Sequence, residues 1–312
     1  MAEVKYILKR CIIGIVTMLV LITITFFLTR LMPGSPFQTG GTSQQVVASV
    51  EAEYGLDQPV AIQFITYVSK LFRGDFGISF QKPGVTVREV IGRALPVTFS
   101  IGIPAFLVAA VLGTFLGVCQ ATTNHPLVKR FLLFGFATCS GIPNFVTALL
   151  LSLIFGVVLG WLPIVGLTGI AHYILPVLSL SIYPTAVIGR MVYASSMEVM
   201  KQDYMRLARA KGMSKGTILG KHLLKNAILP AVAYMGPMTA YLLTGSFAVE
   251  SIFTIPGLGR EFVYSIGNRD YTLIMGLTIF MGMMVIAMGI LSDIICKFLN
   301  PMIQDGRGGG NR

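Results

Sequence analysis

The chain has 312 residues, 54% of them hydrophobic and 12% charged, with a formal net charge of +11 and a mean hydropathy of +0.77. A soluble domain carries roughly 25% charged residues, so this composition excludes a water-soluble globular protein and indicates an integral membrane protein. Such an excess of positive charge suggests nucleic acid in a soluble chain, but in a membrane protein its distribution along the chain matters more than its total.

Taken in chain order, Lys5, Lys9 and Arg10 precede an apolar run from Cys11 to Leu28. The run resembles a secretory signal but is longer, and "TRLMPGSP" follows it where a small-residue cleavage site would stand. It is read as an uncleaved first span over about 9–31. The region Pro33–Pro96 is too long for a turn and too polar to span. Inside it, "DQPVAIQFITYVSKLFRG" predicts an amphipathic helix of about four turns with Asp57 as N-cap, ending near Gly74. Val60, Phe64, Ile65, Val68, Leu71 and Phe72 supply its apolar side. "VTVREVIGRALP" repeats the pattern more briefly, with Val87, Val90, Ile91 and Ala94 expected to face the membrane.

Five further spans are expected over about 98–120, 131–158, 173–195, 227–249 and 273–297, each near or above the ~20 residues that cross a bilayer. Pro104, Pro143, Pro184 and Pro237 fall inside spans, where neighbouring helices can satisfy the backbone groups they free. Trp161 and Tyr173 suit an interfacial belt between the third and fourth. Gly113 with Gly117, and Gly156 with Gly160, have the spacing that lets helices approach closely, read mainly as packing within the chain. Met281, Met283, Met284 and Met288 are read as core packing, with an adaptable pore lining as the other possibility. The four cysteines lie in or beside spans, so no disulfide or metal set is expected.

Lysine and arginine bias sets orientation. With a cytoplasmic N-terminus, the inner segments hold fifteen cations against four acids and the outer segments seven against eight. Both termini are therefore expected in the cytoplasm. Arg190 and Asp293 fall within about two turns of the inner boundary, where snorkelling accounts for them.

The most basic stretch lies between the fourth and fifth spans: seven lysines and arginines from Lys201 to Lys225, with one acid, Asp203. Gly212 suits a helix C′ position, with Lys211 before it favourable to the dipole. Ser214 can cap a second helix running to about Asn226. In the first piece Met200, Tyr204, Leu207, Ala208 and Lys211 share helical spacing. In the second, Ile218, Leu219, His222, Leu223 and Asn226 line one side. Two short amphipathic helices joined by a glycine bend at Gly212 and Gly216 cannot span a bilayer and are expected at its cytoplasmic face. Two readings compete: a solvated basic loop near anionic lipid, and a docking helix for a soluble partner, which also requires the bend and the fixed attachment through "NAILP".

This helix–glycine–helix between two spans resembles the coupling loop of ABC importer permeases. "DYMRLARAKG" followed by "KHLLKNAILP" is similar to the oligopeptide/dipeptide permease family. The match runs through Tyr204, Ala208, Lys211, Gly212, His222, Asn226 and Pro230. Where the general importer motif has Glu-Ala-Ala, this chain reads Arg206-Leu207-Ala208, so no role resting on the glutamate carries over. The resemblance covers nearly the whole chain: "LMPGSP" (31–36, with Ser35 where the family has an acid), "YGLDQP" (54–59), "RGDFGIS" (73–79) and "IPGLGREFVYSIGNRDY" (255–271) follow in order. It implies an all-α membrane protein of type I importer permease fold with six transmembrane helices. The expected organisation is a first helix over 1–32, an extracytoplasmic helical insert over 33–97, a five-helix core over 98–300 carrying a coupling loop at 198–226, and a flexible tail over 301–312. By the same resemblance, Tyr204, Ala208 and Lys211 through Gly216 (Lys211, Gly212, Met213, Ser214, Lys215, Gly216) would couple to an ATPase, with His222, Asn226 and Pro230 anchoring the loop. The implied partners are a second permease, two ATPase subunits that bind ATP and Mg, and an extracytoplasmic binding protein received on the insert. The cargo would be oligopeptides or dipeptides, with nickel complexes, glutathione or another small solute as alternatives on the same scaffold.

Other classes find little support. "GTILGKH" has three residues between its glycines and His222 after the lysine, so it is not a phosphate-binding loop; no cofactor is expected in this chain and ATP hydrolysis would belong to another. No HExxH or GxSxG occurs. A secondary transporter usually carries an ionisable group at mid-membrane, and away from their ends the six runs have none.

Overall fold

The computed structural model describes residues 2–32, 37 and 55–299; most of "LMPGSP", Tyr54 and the 301–312 tail lie outside them. Among the described residues the chain is helical, with one isolated antiparallel bridge between Ile78 and Thr86. The elements are α1 Ala2–Leu31, α2 Val60–Phe72, α3 Val87–Thr122, α4 Pro126–Gly141, α5 Asn144–Val158, α6 Ala171–Val199, α7 Asp203–Ala210, α8 Lys215–Ala227, α9 Leu229–Leu243, α10 Phe247–Ile252, α11 Leu258–Gly267 and α12 Tyr271–Leu299. Four of them, α1, α3, α6 and α12, are long and apolar enough to cross a membrane. The count reaches six when two bent pairs, α4 with α5 and α8 with α9–α10, are each taken as one span.

Those two pairs correct the expected straight spans. The run 131–158 turns by 105° between Gly141 and Asn144, and the run 227–249 turns by 53° at Ile228. It breaks again at Gly245, whose φ of +94° only glycine adopts readily. Conversely, the expected boundary at 97/98 falls inside α3, a 36-residue helix about 54 Å long at 1.5 Å per residue. Pro96 and Pro104 lie within it without ending it.

The described residues fall into two compact units, one holding those up to Thr98 with Pro256–Ile286, the other Phe99–Ile255 with those from Ala287 to Leu299. In the first, Val87, Val90, Ile91 and Ala94 of α3 pack against Leu258 of α11 and Leu273 and Leu277 of α12. They face a protein core, not lipid as expected, because α11 and α12 cover the apolar stripe. Phe26 at the end of α1 is fully buried and meets Phe64 of α2 edge-on, 5.2 Å between ring centroids. No residue of α2 is buried. Its N-cap is Pro59 and not Asp57, while at its other end Gly74 (φ +75°) closes a Schellman turn, with Asp75 N–H donating to Lys70 O and Gly74 N–H to Leu71 O.

The polar centre of this unit is Asp270, fully buried. Its carboxylate accepts from the Ser79 hydroxyl and from the N–H groups of Phe80 (3.0 Å), Gln81 (3.3 Å) and Leu273 (3.1 Å). Lys82 and Glu261 pair at 2.5 Å beside it. The loop after Gly77 is thereby tied to the start of α12.

In the second unit α3 lies against α6 at the first glycine pair. A Cβ on Gly113 would stand 2.8 Å from Ile188 Cβ, and one on Gly117 2.5 Å from the Gly189 carbonyl oxygen. Only glycine permits that approach. In the second pair only Gly156 is packed closely, a Cβ there standing 2.3 Å from Ile164 Cγ1 in the segment after α5, while Gly160 sits at φ +63° with open space around it.

Candidate functional site

The basic stretch folds as two short helices around one bend. α7 ends at Ala210, Lys211 is its C-cap, and Gly212 takes φ +69°. Gly212 N–H donates to Arg209 O and Met213 N–H to Ala208 O, the paired bonds of a Schellman turn. Ser214 then caps α8 as its position predicts: its hydroxyl accepts from Thr217 N–H. Gly212 alone makes the bend; Gly216 lies inside α8 with helical geometry, which corrects the expectation that both glycines bend the chain.

The elbow is fastened by a small apolar cluster. Met205, Leu223 and Ala227 are buried, packed with Val118 of α3, Val199 and Met200 at the end of α6, and Ile218 and Leu219 of α8. A side-chain link crosses the elbow: Asn226 Nδ2 donates to the Tyr204 hydroxyl at 3.2 Å and to His222 O at 2.9 Å. Of the expected anchors, Asn226 thus meets Tyr204 from the coupling set, while His222 takes part only through its backbone carbonyl. Pro230 stands in the first turn of α9 just past the 53° bend, where a missing N–H costs little.

The expected coupling residues divide by burial. Ala208 is 4% exposed, so it cannot face a partner; its small side chain lets α7 pack down. Tyr204, Lys211, Gly212, Ser214, Lys215 and Gly216 are exposed and Met213 half-buried. With Leu207 at 56% exposure, they form a cationic knuckle with an apolar centre, held from beneath. The exposed face is thus cationic, and its buried side is fastened to Val118 of α3, to Val199 and Met200 at the end of α6, and to α8.

Periodicity did not single out Met205, the deepest anchor of α7; its i, i+3 spacing to Ala208 was the available signal. A second feature also escaped the sequence. Pro143, Pro184 and Pro237 converge on a cavity of about 630 Å³ in the second unit. They were legible as three span-interior prolines, but not as neighbours.

The profile of the binding-protein-dependent transport system inner membrane component matches residues 109–305, and that of its N-terminal portion residues 3–102. The chain is 39% identical to the dipeptide transport system permease protein DppB of Bacillus subtilis over 96% of this chain and 98% of that one. It is 39% identical to the oligopeptide transport system permease protein OppB of Salmonella typhimurium, over 96% and 99%. Two solved structures share the fold. One is an amino acid ABC transporter with TM-score 0.53 and 17% identity, covering 68% of this chain and 94% of that one. The other is the MetNI methionine ABC transporter, with TM-score 0.54 and 18% identity, covering 68% and 97%.

Proposed function

The chain belongs to the binding-protein-dependent transport inner membrane components, in the oligopeptide and dipeptide permease group, and from that premise we propose that it carries peptides inward as one half of an ATP-driven importer. It is a multi-pass inner-membrane permease. The observation that carries the reading is the elbow from Gln202 to Asn226: a charged surface mounted on an apolar cluster between two spans, shaped to be gripped.

In this reading both termini lie in the cytoplasm, supported by the excess of lysine and arginine in the segments that would share that side. Two ATPase subunits bind ATP and Mg, and one seats the knuckle Leu207–Gly216. A second permease completes the pathway, and an extracytoplasmic binding protein delivers the cargo onto the region before α3. Closure of the ATPases pushes on Gly212 and Ser214. The Met205–Leu223–Ala227 cluster and the Tyr204–Asn226 bond keep the elbow stiff, so the displacement reaches α6 and α9 and is not lost in the loop. Naming of the relatives as dipeptide and oligopeptide permeases supports peptide as cargo.

The test is reconstitution with the partner subunits in proteoliposomes. ATP-dependent uptake of labelled peptides, abolished when the ATPases are omitted, is the expected result. A crosslinker at Met213 should reach the ATPase; reaction with lipid alone during normal uptake overturns the coupling assignment, and uptake driven by an ion gradient without ATPase overturns the importer class.

A further inference from the structure

We propose that the cavity where α5, α6 and α9 meet is a transit site for a short peptide, an uncharged aromatic chamber that holds backbone amides and side chains while Arg190 at its rim takes the C-terminal carboxylate. The proposal rests on the peptide-importer reading above.

Position is the first argument. Pro143 and Asn144 stand at the 105° break between α4 and α5, Pro184 near the middle of the 29-residue α6, and Pro237 near the middle of α9. Backbone irregularity at membrane depth persists only where protein buries it or a water-filled cavity receives it, and interrupted helices at mid-span mark solute sites in other transporters. Here one break, at Pro143, and two helix-interior prolines, Pro184 of α6 and Pro237 of α9, border one space of about 630 Å³, within the ~300–1,000 Å³ of small-molecule sites.

Lining chemistry is the second. Tyr183, Tyr234 and Tyr241 come from two helices and face Asn144 across the break. Asn144 Nδ2 donates to the Tyr241 hydroxyl at 3.4 Å, a long bond that a ligand amide can replace, and Tyr183 and Tyr234 line the same space. No lysine, arginine, histidine or carboxylate lines the space. Hydroxyls and a carboxamide donate and accept, as peptide groups require, and aromatic faces accept varied side chains without selecting a charge. Phe145, Tyr241 and Phe247 are 47%, 50% and 58% exposed, so the chamber lacks a wall that a second permease would supply.

The third is Arg190. It lies on α6 seven residues after Tyr183, inside the membrane-length helix, and its guanidinium donates to the Ser140 hydroxyl at 3.1 Å. Ser140 lines the cavity. Among the described residues no carboxylate pairs with Arg190 within 4.0 Å. Arg190 is exposed and directs its guanidinium to the hydroxyl at the cavity's edge, where it can meet a solute, and a C-terminal carboxylate is the one negative charge every unmodified peptide carries.

The experiment uses the complete complex in proteoliposomes and compares uptake of one peptide as free acid and as C-terminal amide, for the unaltered chain and for Arg190→Gln and Arg190→Lys. The binding protein contributes equally to all three, so the change in preference isolates this chain. Arg190→Gln should reduce the free-acid preference about tenfold, the loss typical of one charge-assisted hydrogen bond, and Arg190→Lys should restore part of it. A photoreactive phenylalanine in place of Tyr241 should crosslink to labelled peptide only in the presence of ATP and binding protein. Unchanged preference in Arg190→Gln, or full uptake with no crosslink at position 241, overturns the site alone. An unaltered complex that imports no peptide overturns the functional reading and this site with it.

Discussion

The elbow between Gln202 and Asn226 and the region around Asp270 are both polar stretches in an apolar chain, and they dispose of their charge in opposite ways. Around Asp270 polarity is turned inward: a fully buried carboxylate collects one hydroxyl and three backbone N–H groups, with the Lys82–Glu261 pair beside it. In the elbow it is turned outward. Lys211 and Lys215 are exposed, and the fastening beneath them is Met205, Leu223 and Ala227. Buried polar groups that bind each other leave nothing for a partner, whereas charge mounted on apolar anchors remains available. The first arrangement holds a loop in place; the second presents one.

That contrast can be broken by substitution. Asp270→Ala strands four donors in a buried site and should cost on the order of 3 kcal/mol or more, read as a large fall in Tm of the detergent-solubilised protein; an unchanged Tm would end the claim that this carboxylate is structural. Met205→Ala opens a hole under the elbow and should cost about 2 kcal/mol, with the elbow's amides exchanging faster than those of α6 in hydrogen-exchange measurements. Gly212→Ala forces a side chain into the left-handed region at about 1 kcal/mol. It should leave Tm nearly intact but weaken ATPase association about tenfold, since tenfold corresponds to about 1.4 kcal/mol. Joint Lys211→Glu and Lys215→Glu should move stability by no more than about 0.5 kcal/mol, yet weaken association most at low salt, with the difference from the unaltered chain shrinking as salt rises. If the double reversal instead lowered Tm as Asp270→Ala does, the two regions would not differ in kind.

Much of the elbow was legible because its signals are local. A glycine after a lysine at a helix end and a serine before the next helix each act within one turn, and both Gly212 and Ser214 do what their neighbours in sequence predict. Burial was less legible. Tyr204, Leu207 and Ala208 share the helical spacing, but only Ala208 faces inward, and Met205 does the anchoring. Which stripe of a short amphipathic helix is covered depends on what α3 and α8 bring to it, and the spacing within α7 does not contain that.

The prolines mark the same limit most clearly. Pro96 and Pro104 lie within an unbroken α3, and Pro176 and Pro184 within α6, while Pro143 stands at a 105° turn. By itself the sequence determined that this chain is a helical membrane protein, roughly where its spans run, which segment cannot span, and how that segment bends, because hydropathy and capping are sums over adjacent residues. Only the tertiary structure decided which prolines break a helix, that Asp270 is buried, and that Asn144, Tyr183, Tyr234 and Tyr241 meet. A freed backbone group or a buried charge persists only if distant residues supply its partner, and that supply depends on which helices become neighbours.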